Sequence, residues 1–169
     1  MSTIQQLASA VEAHFSNPEA AAFAHFVTVT DGLTAQQAAA VPAERFNSVW
    51  AVVNHTALWQ DFLRTALQGE QIDLEAWGLT EVGQGWPPLG AITEVNWQAA
   101  RQRALDVNHA LGQAIANLRA EQLEQPLSGF FNVIAHQAIL SIYAHNSYHS
   151  AEITGIRHMQ GLWVDHPFV

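Results

Sequence analysis

His145 and His149 stand one helical turn apart in the segment His145-Asn146-Ser147-Tyr148-His149. Residues four apart on a helix differ by about 40° around its axis, with Cβ atoms about 5–6 Å apart. Two imidazoles so placed reach one metal ion at about 2.0–2.1 Å each. Both share a face with Ile142, Ile153 and Ile156, so that face is expected to be buried. A third histidine, His55, shares the apolar stripe of an earlier helical segment with Val52, Trp59 and Phe62. Facing stripes of two bundle helices meet, and metal sites in bundles are built from such side chains. Three imidazoles leave coordination positions for solvent or substrate, the pattern of a catalytic rather than a structural site. The competing reading is three hydrogen-bonded core histidines. A pair at this spacing is weak on its own in a chain with nine histidines. Three on inward stripes weigh more, because each buried imidazole must find partners for two nitrogens.

The pair is not a protease motif, since Asn146 stands where the glutamate base of HExxH would be. Glu152 lies seven residues after His145 and three after His149, near the same face. It is the candidate catalytic residue. Its possible roles are a fourth ligand, an acceptor that orients a ligand imidazole, a general base, or a solvated carboxylate at the rim. His136 and His158 turn to the other side of their helix. With His14, His25, His109 and His166, they read as surface or packing residues. Trp59 and Trp97 read as core, whereas Trp77 and Trp86 fall in a loop and suit a lid.

Helical periodicity dominates the chain, and no segment shows the alternation of a strand. Thr3-Ile4-Gln5-Gln6 reads as a capping box before a stripe of Ile4, Leu7, Val11 and Phe15. Asn17-Pro18-Glu19 reads as a second start, for a helix to about Asp31-Gly32. Thr34 caps a short turn that Pro42 ends. Ser48 caps a long helix to about Gln68-Gly69, with Val52, His55, Thr56, Trp59, Phe62, Leu63 and Ala66 inward. Thr93 caps a third, to about Leu123. A last helix runs from about Phe131 to Gln160, before Gly161. These elements predict an all-α four-helix bundle of up-and-down order, with residues 1–169 as one domain and 1–16 as an additional N-terminal helical segment. The loop over 70–92 is long enough to fold back along the bundle. It is expected to pack over it, or over a dimer neighbour, without supplying a metal ligand from Asp73, Glu75 or Glu81.

Composition narrows the function. A chain of 169 residues with 49% hydrophobic content buries a real core. It carries 15 acidic residues against six basic ones, all arginine, for a net charge of -9. Such a surface repels phosphate backbones and anionic lipid, so neither nucleic acid nor membrane is an expected partner. With no cysteine, no thiolate of the chain can act as nucleophile or ligand. The first residues lack a leader pattern and no apolar run is of membrane length, so a cytoplasmic protein is expected.

The segment from Ser48 to Trp59, with Trp50, His55 and Trp59, resembles the second helix of the DinB/YfiT-like family of metalloenzymes. The segment from His145 to Ile153 resembles the family's last helix. Gly32–Ala38 and Leu67–Glu70 agree more weakly, and the resemblance covers roughly residues 18–163. It implies a four-helix bundle holding a divalent ion, zinc or nickel, on His55, His145 and His149, and a homodimer. It also implies a reaction such as thiol-dependent group transfer. The chain departs from the family pattern at Ala151-Glu152, where Gly-Gln is common. The expectation is therefore a metal-dependent transferase acting on a small-molecule substrate with a low-molecular-weight thiol. The alternatives are a hydrolase using metal-bound water, and a metal-binding stress-response bundle without turnover.

Overall fold

A computed structural model describes residues 2–17, 24–81, 85–128 and 130–164. Its elements are α1 (Thr3–Ser16), α2 (Phe26–Thr30), α3 (Ala35–Ala39), α4 (Val49–Leu67), α5 (Glu94–Ala116), a 3-10 helix (Ala120–Glu124) and α6 (Ala135–Met159). Among the described residues the only extended pairing is a single bridge between Pro126 and Ile134. The chain is all-α, as its periodicity predicts.

Local chemistry sets the helix ends. The hydroxyls of Ser48 and Thr93 accept from the backbone N–H of Ala51 and Asn96, satisfying donors that the first turns of α4 and α5 leave open. Thr34 and Gln37 form the capping box of α3. Three boundaries differ from expectation. The box of α1 is Ser2 with Gln5, one residue earlier than Thr3 with Gln6, because two consecutive glutamines fit two consecutive hydroxyl residues. The third long helix stops at Ala116, where Asn117 caps it, and Leu123 belongs to the separate 3-10 helix. The last helix begins at Ala135 rather than Phe131. Phe131 and Asn132 adopt φ of 52° and 56°, and the Leu127 N–H bonds the Val133 carbonyl, so this stretch is a tight reversal. Of the helix expected from Asn17, Pro18 and Glu19 lie outside the described residues, and Phe26–Thr30 is helical.

The four long helices close a ring in which α1 packs on α5 and α6, and α4 packs on the same two. Side-chain pairs give their directions. Asn47 meets Glu152, His55 meets His145 and Gln60 meets Asn146, so α4 and α6 run antiparallel. Trp50 meets Trp97 and Gln60 meets Asn108, so α4 and α5 run parallel. Val11 and Glu12 meet Asn108 and His109, while Ala8 lies by Gly112, so α1 opposes α5. The order is therefore up-down-down-up, not up-and-down. A parallel pair cannot be joined by a short turn. The chain from Gln68 to Thr93 must return along a helix of 19 residues, about 28 Å at 1.5 Å per residue. This return carries the loop past His55. The segment expected as an N-terminal addition, α1, supplies one side of the ring. It packs closely on α5 at Gly112, where a Cβ would lie 3.0 Å from a Glu12 carboxylate oxygen and 3.7 Å from the Ala8 carbonyl oxygen.

The core holds Phe15, Phe26, Phe62, Leu63, Trp97, Leu111, Ile115, Ile139, Ile153 and Ile156, all nearly inaccessible. The Trp97 indole N–H donates to the Leu33 carbonyl, so that large ring is buried with its polar atom satisfied. A polar layer crosses the same core. The Gln60 carbonyl oxygen accepts from the amides of Asn108 (2.7 Å) and Asn146 (3.1 Å), and Asn108 also donates to the Val11 carbonyl. One amide cluster therefore ties all four helices at one level. At the far end of α6, the Arg157 guanidinium donates to the carbonyls of Val29 and Asp31, fastening the α2 segment to the bundle.

Candidate metal centre

Antiparallel packing of α4 on α6 brings His55 against His145 and His149. One ring nitrogen of each lies within 4.8 Å of those of the other two. Nε2 of His55 and Nε2 of His145 are 3.1 Å apart. Two nitrogens sharing an ion at about 2.0–2.1 Å, with roughly 90–110° between them, lie roughly 2.8–3.4 Å apart. The spacing thus fits joint ligation. His55 and His149 are buried and His145 is half-buried. The three can hold one ion.

The outer nitrogens of two rings are already engaged. His55 Nδ1 is 2.6 Å from the carbonyl oxygen of Gly85, so Nδ1 carries the proton and donates it, leaving the Nε2 lone pair facing His145. His149 Nδ1 is 2.6 Å from Oε2 of Glu152, which fixes the same tautomer. Metal-binding histidines ordinarily donate their second N–H to a carbonyl or carboxylate, which orients the ring and raises its basicity. Oε1 of Glu152 accepts from the Asn47 side chain at 3.1 Å. Both carboxylate oxygens are thereby occupied on the far side of His149, and the carboxylate is not one of the clustered ligand atoms. His145 Nδ1 is enclosed and has no protein partner among the described residues.

Burial governs the protonation of this cluster. It pushes His55 down to about 4, against the raising effect of the Gly85 bond. It pushes His145 down to about 3, assisted by His149 and His55. Both are neutral, and therefore competent ligands, at neutral pH. Burial alone would raise the Glu152 carboxyl. The hydrogen bonds from His149 and Asn47 together outweigh it and hold the group below its usual value.

Aromatic rings surround the histidines. The Trp86 indole stacks on the His55 ring, with centroids 3.8 Å apart and planes 12° apart, and sits edge-on to His149 at 6.0 Å. Trp59 lies edge-on to His55 at 6.2 Å, and Tyr148 to His149 at 5.0 Å. A cavity of about 540 Å³ opens beside Trp86, with Leu58, Glu75, Trp77 and Pro87 among its walls. Trp77 and Trp86 both lie in the loop, Trp77 half-buried against Phe62 and Trp86 on His55. Asp73, Glu75 and Glu81 do not join the metal-capable group.

The remaining histidines lie elsewhere. His14 is buried, with Nε2 2.7 Å from the Ser147 hydroxyl oxygen, and its ring lies 6.3 Å from that of buried His25. His109 pairs with Glu12 at the surface, His136 lies 3.6 Å from Glu124, and His158 packs on Trp163. His166 lies outside the described residues. Sequence reasoning missed Asn47 and Gly85. Asn47 had the signal of standing just before the Ser48 cap of the His55 helix. Gly85 had only its being glycine, one of several in its loop, and that does not say where its carbonyl points.

The protein is a helical bundle in which three histidines from two helices could hold one metal ion. The model of the DinB superfamily matches residues 20–152, and the chain belongs to that superfamily. No curated protein and no solved structure matches the chain significantly. Among the described residues no helix is long and apolar enough to cross a membrane.

Proposed function

We propose that the protein is a metal-dependent transferase that works with a low-molecular-weight thiol, its divalent ion held by His55, His145 and His149. The observation that carries the metal reading is the pairing of inner and outer nitrogens. Nε2 of His55 and of His145 lie 3.1 Å apart, while Nδ1 of His55 and of His149 are bound by Gly85 and Glu152. Histidines that served only as core would have no need to converge. Imidazole ligands suit zinc or nickel. When bound, such an ion is a Lewis acid that lowers the pKa of a thiol or water sharing it.

The chain's own residues supply position and shelter. Glu152 holds His149 in the tautomer that turns Nε2 inward, and Asn47 in turn holds Glu152. Trp59 and Trp86 pack against His55, and Tyr148 lies beside His149. A chain without cysteine must take its sulfur nucleophile from a small molecule, which fits the thiol reading. A hydrolase would need Glu152 as its base, and that carboxylate is already committed to His149 and Asn47. The homodimer that the family resemblance implies, and a cytoplasmic setting, belong to the same proposal.

Elemental analysis of protein purified without a nickel column should find about one divalent ion per chain, lost in His149→Ala. The loaded protein, offered an electrophile with a panel of small thiols, should turn over only with thiol. Ester or amide cleavage without thiol would make it a hydrolase instead. Metal with no turnover in either assay would leave a binding protein.

A further inference from the structure

The loop that returns from α4 to α5 touches the histidines at two consecutive residues. The Gly85 carbonyl bonds His55 Nδ1 at 2.6 Å, and the Trp86 ring lies parallel on His55 at 3.8 Å. Each contact constrains a different freedom of the imidazole. The carbonyl fixes which nitrogen carries the proton and the direction in which the ring points. The indole fixes the ring's plane.

Local chemistry makes this pair rigid. Gly85 has φ of 97°, a conformation that disfavours any side chain. A Cβ there would lie 2.9 Å from Nε1 of Trp59, so only glycine brings this carbonyl so near α4. Trp86 precedes Pro87 and Pro88, and a residue before proline is held to extended backbone. Core packing does not account for Trp86. It is 37% exposed, and it lines the open cavity beside the site. An indole that is free to leave the surface, yet lies flat on a histidine, is placed there by that histidine.

We propose that Gly85 and Trp86 are positioning residues of the metal centre. Together they hold His55 with Nε2 toward His145 and His149, as Glu152 holds His149. This rests on the reading of the three histidines as ligands. The two ligand helices are then set by different means. On α6, His149 is oriented by Glu152 of its own helix, whereas His55 on α4 is oriented by a loop. The tightness of the metal therefore depends on a segment that contributes no ligand.

The test is metal affinity by competition with a chromophoric chelator, alongside the visible spectrum of the cobalt(II)-loaded protein. Gly85→Ala and Trp86→Ala should each weaken cobalt or zinc binding by about 10–100-fold, the usual effect of losing a ligand's outer partner, and should shift the cobalt bands. Trp86→Phe keeps a flat ring and should restore affinity to within about threefold. Trp77→Ala, on the same loop but away from His55, should leave both readouts unchanged. Nickel should quench less tryptophan emission in Trp86→Phe than in the parent. If Gly85→Ala fails to fold by circular dichroism, Trp86→Ala decides. Parental affinity and parental cobalt bands in folded Trp86→Ala would overturn the inference. His55→Ala, run in parallel, separates the two levels: if it also keeps the metal, the ligand reading itself has failed.

Discussion

Glu152 and His149 are joined by a 2.6 Å hydrogen bond across one turn of α6, and the carboxylate is held on its other side by Asn47. The chain Asn47–Glu152–His149 runs from the start of α4 through α6 to the inner nitrogen of a candidate ligand. Glu152→Ala should therefore weaken metal binding by about 10–100-fold without abolishing it. Glu152→Gln, which keeps an acceptor but loses the charge, should fall between. Chelator competition measures both, and unchanged affinity in Glu152→Ala would remove the carboxylate from the site.

The three histidines should be separable from the others by metal content. His55→Ala, His145→Ala and His149→Ala should each lose tight binding, since two imidazoles hold an exchangeable ion poorly against water. His109→Ala, His136→Ala and His158→Ala should keep it. Equal metal in all six variants would show that the site lies elsewhere.

Acid should loosen the metal-free protein through buried imidazoles. His14 and His55 are pushed down to about 4 and His145 to about 3, by burial first and by neighbouring histidines second. In the unfolded chain each takes a proton near 6.5, whereas in the folded chain it resists until pH 3–4. The unfolded state thus binds more protons in this window, and stability falls as pH falls from about 6.5 toward 4. Above 6.5 these groups contribute no pH dependence. Urea midpoints of the chelator-treated protein from pH 8 to 4.5 would show it, and a midpoint flat below 6.5 would contradict it.

The amide layer should be costly to break. In Gln60→Ala the side chains of Asn108 and Asn146 lose a shared acceptor while remaining enclosed. Each stranded group costs about 1–3 kcal/mol. A loss of about 3 kcal/mol or more by urea denaturation is expected, against well under 1 kcal/mol for an exposed control such as Gln102→Ala. Comparable values for the two would mean that the layer is slack.

What could be read from residue types alone divides along physical lines. Ser48, Thr93 and Gly161 mark helix ends by local chemistry, and the structure uses them so. The stripes that carry His55, His145 and His149 inward follow from a 3.6-residue period. Helix direction does not, because a stripe reads the same in either sense. Only pairs such as Trp50 with Trp97 reveal that α4 and α5 are parallel. Phe131 and Asn132 defeat the reading for a related reason. Asn tolerates a left-handed backbone but Phe does not announce one, so the last helix was expected four residues early. Gln60, Asn108 and Asn146 are polar residues on inward faces, and the Gln60 oxygen that joins them is invisible as a shared acceptor until three helices meet.

His55 and His145 are separated by 90 residues, with all of α5 and both long connections between them. Each doubling of a closed loop adds only about 0.6 kcal/mol of entropic cost, but the ends must still find one another before any contact rewards them. A finger-like module whose ligands lie a few residues apart can be folded by its metal. Here the ligand set comes into being only when α6, the last long helix made, docks on α4. An ion held there would thus be a late arrival, loaded into a finished bundle rather than a nucleus that assembles one. A chelator should accordingly withdraw it without dismantling the helices.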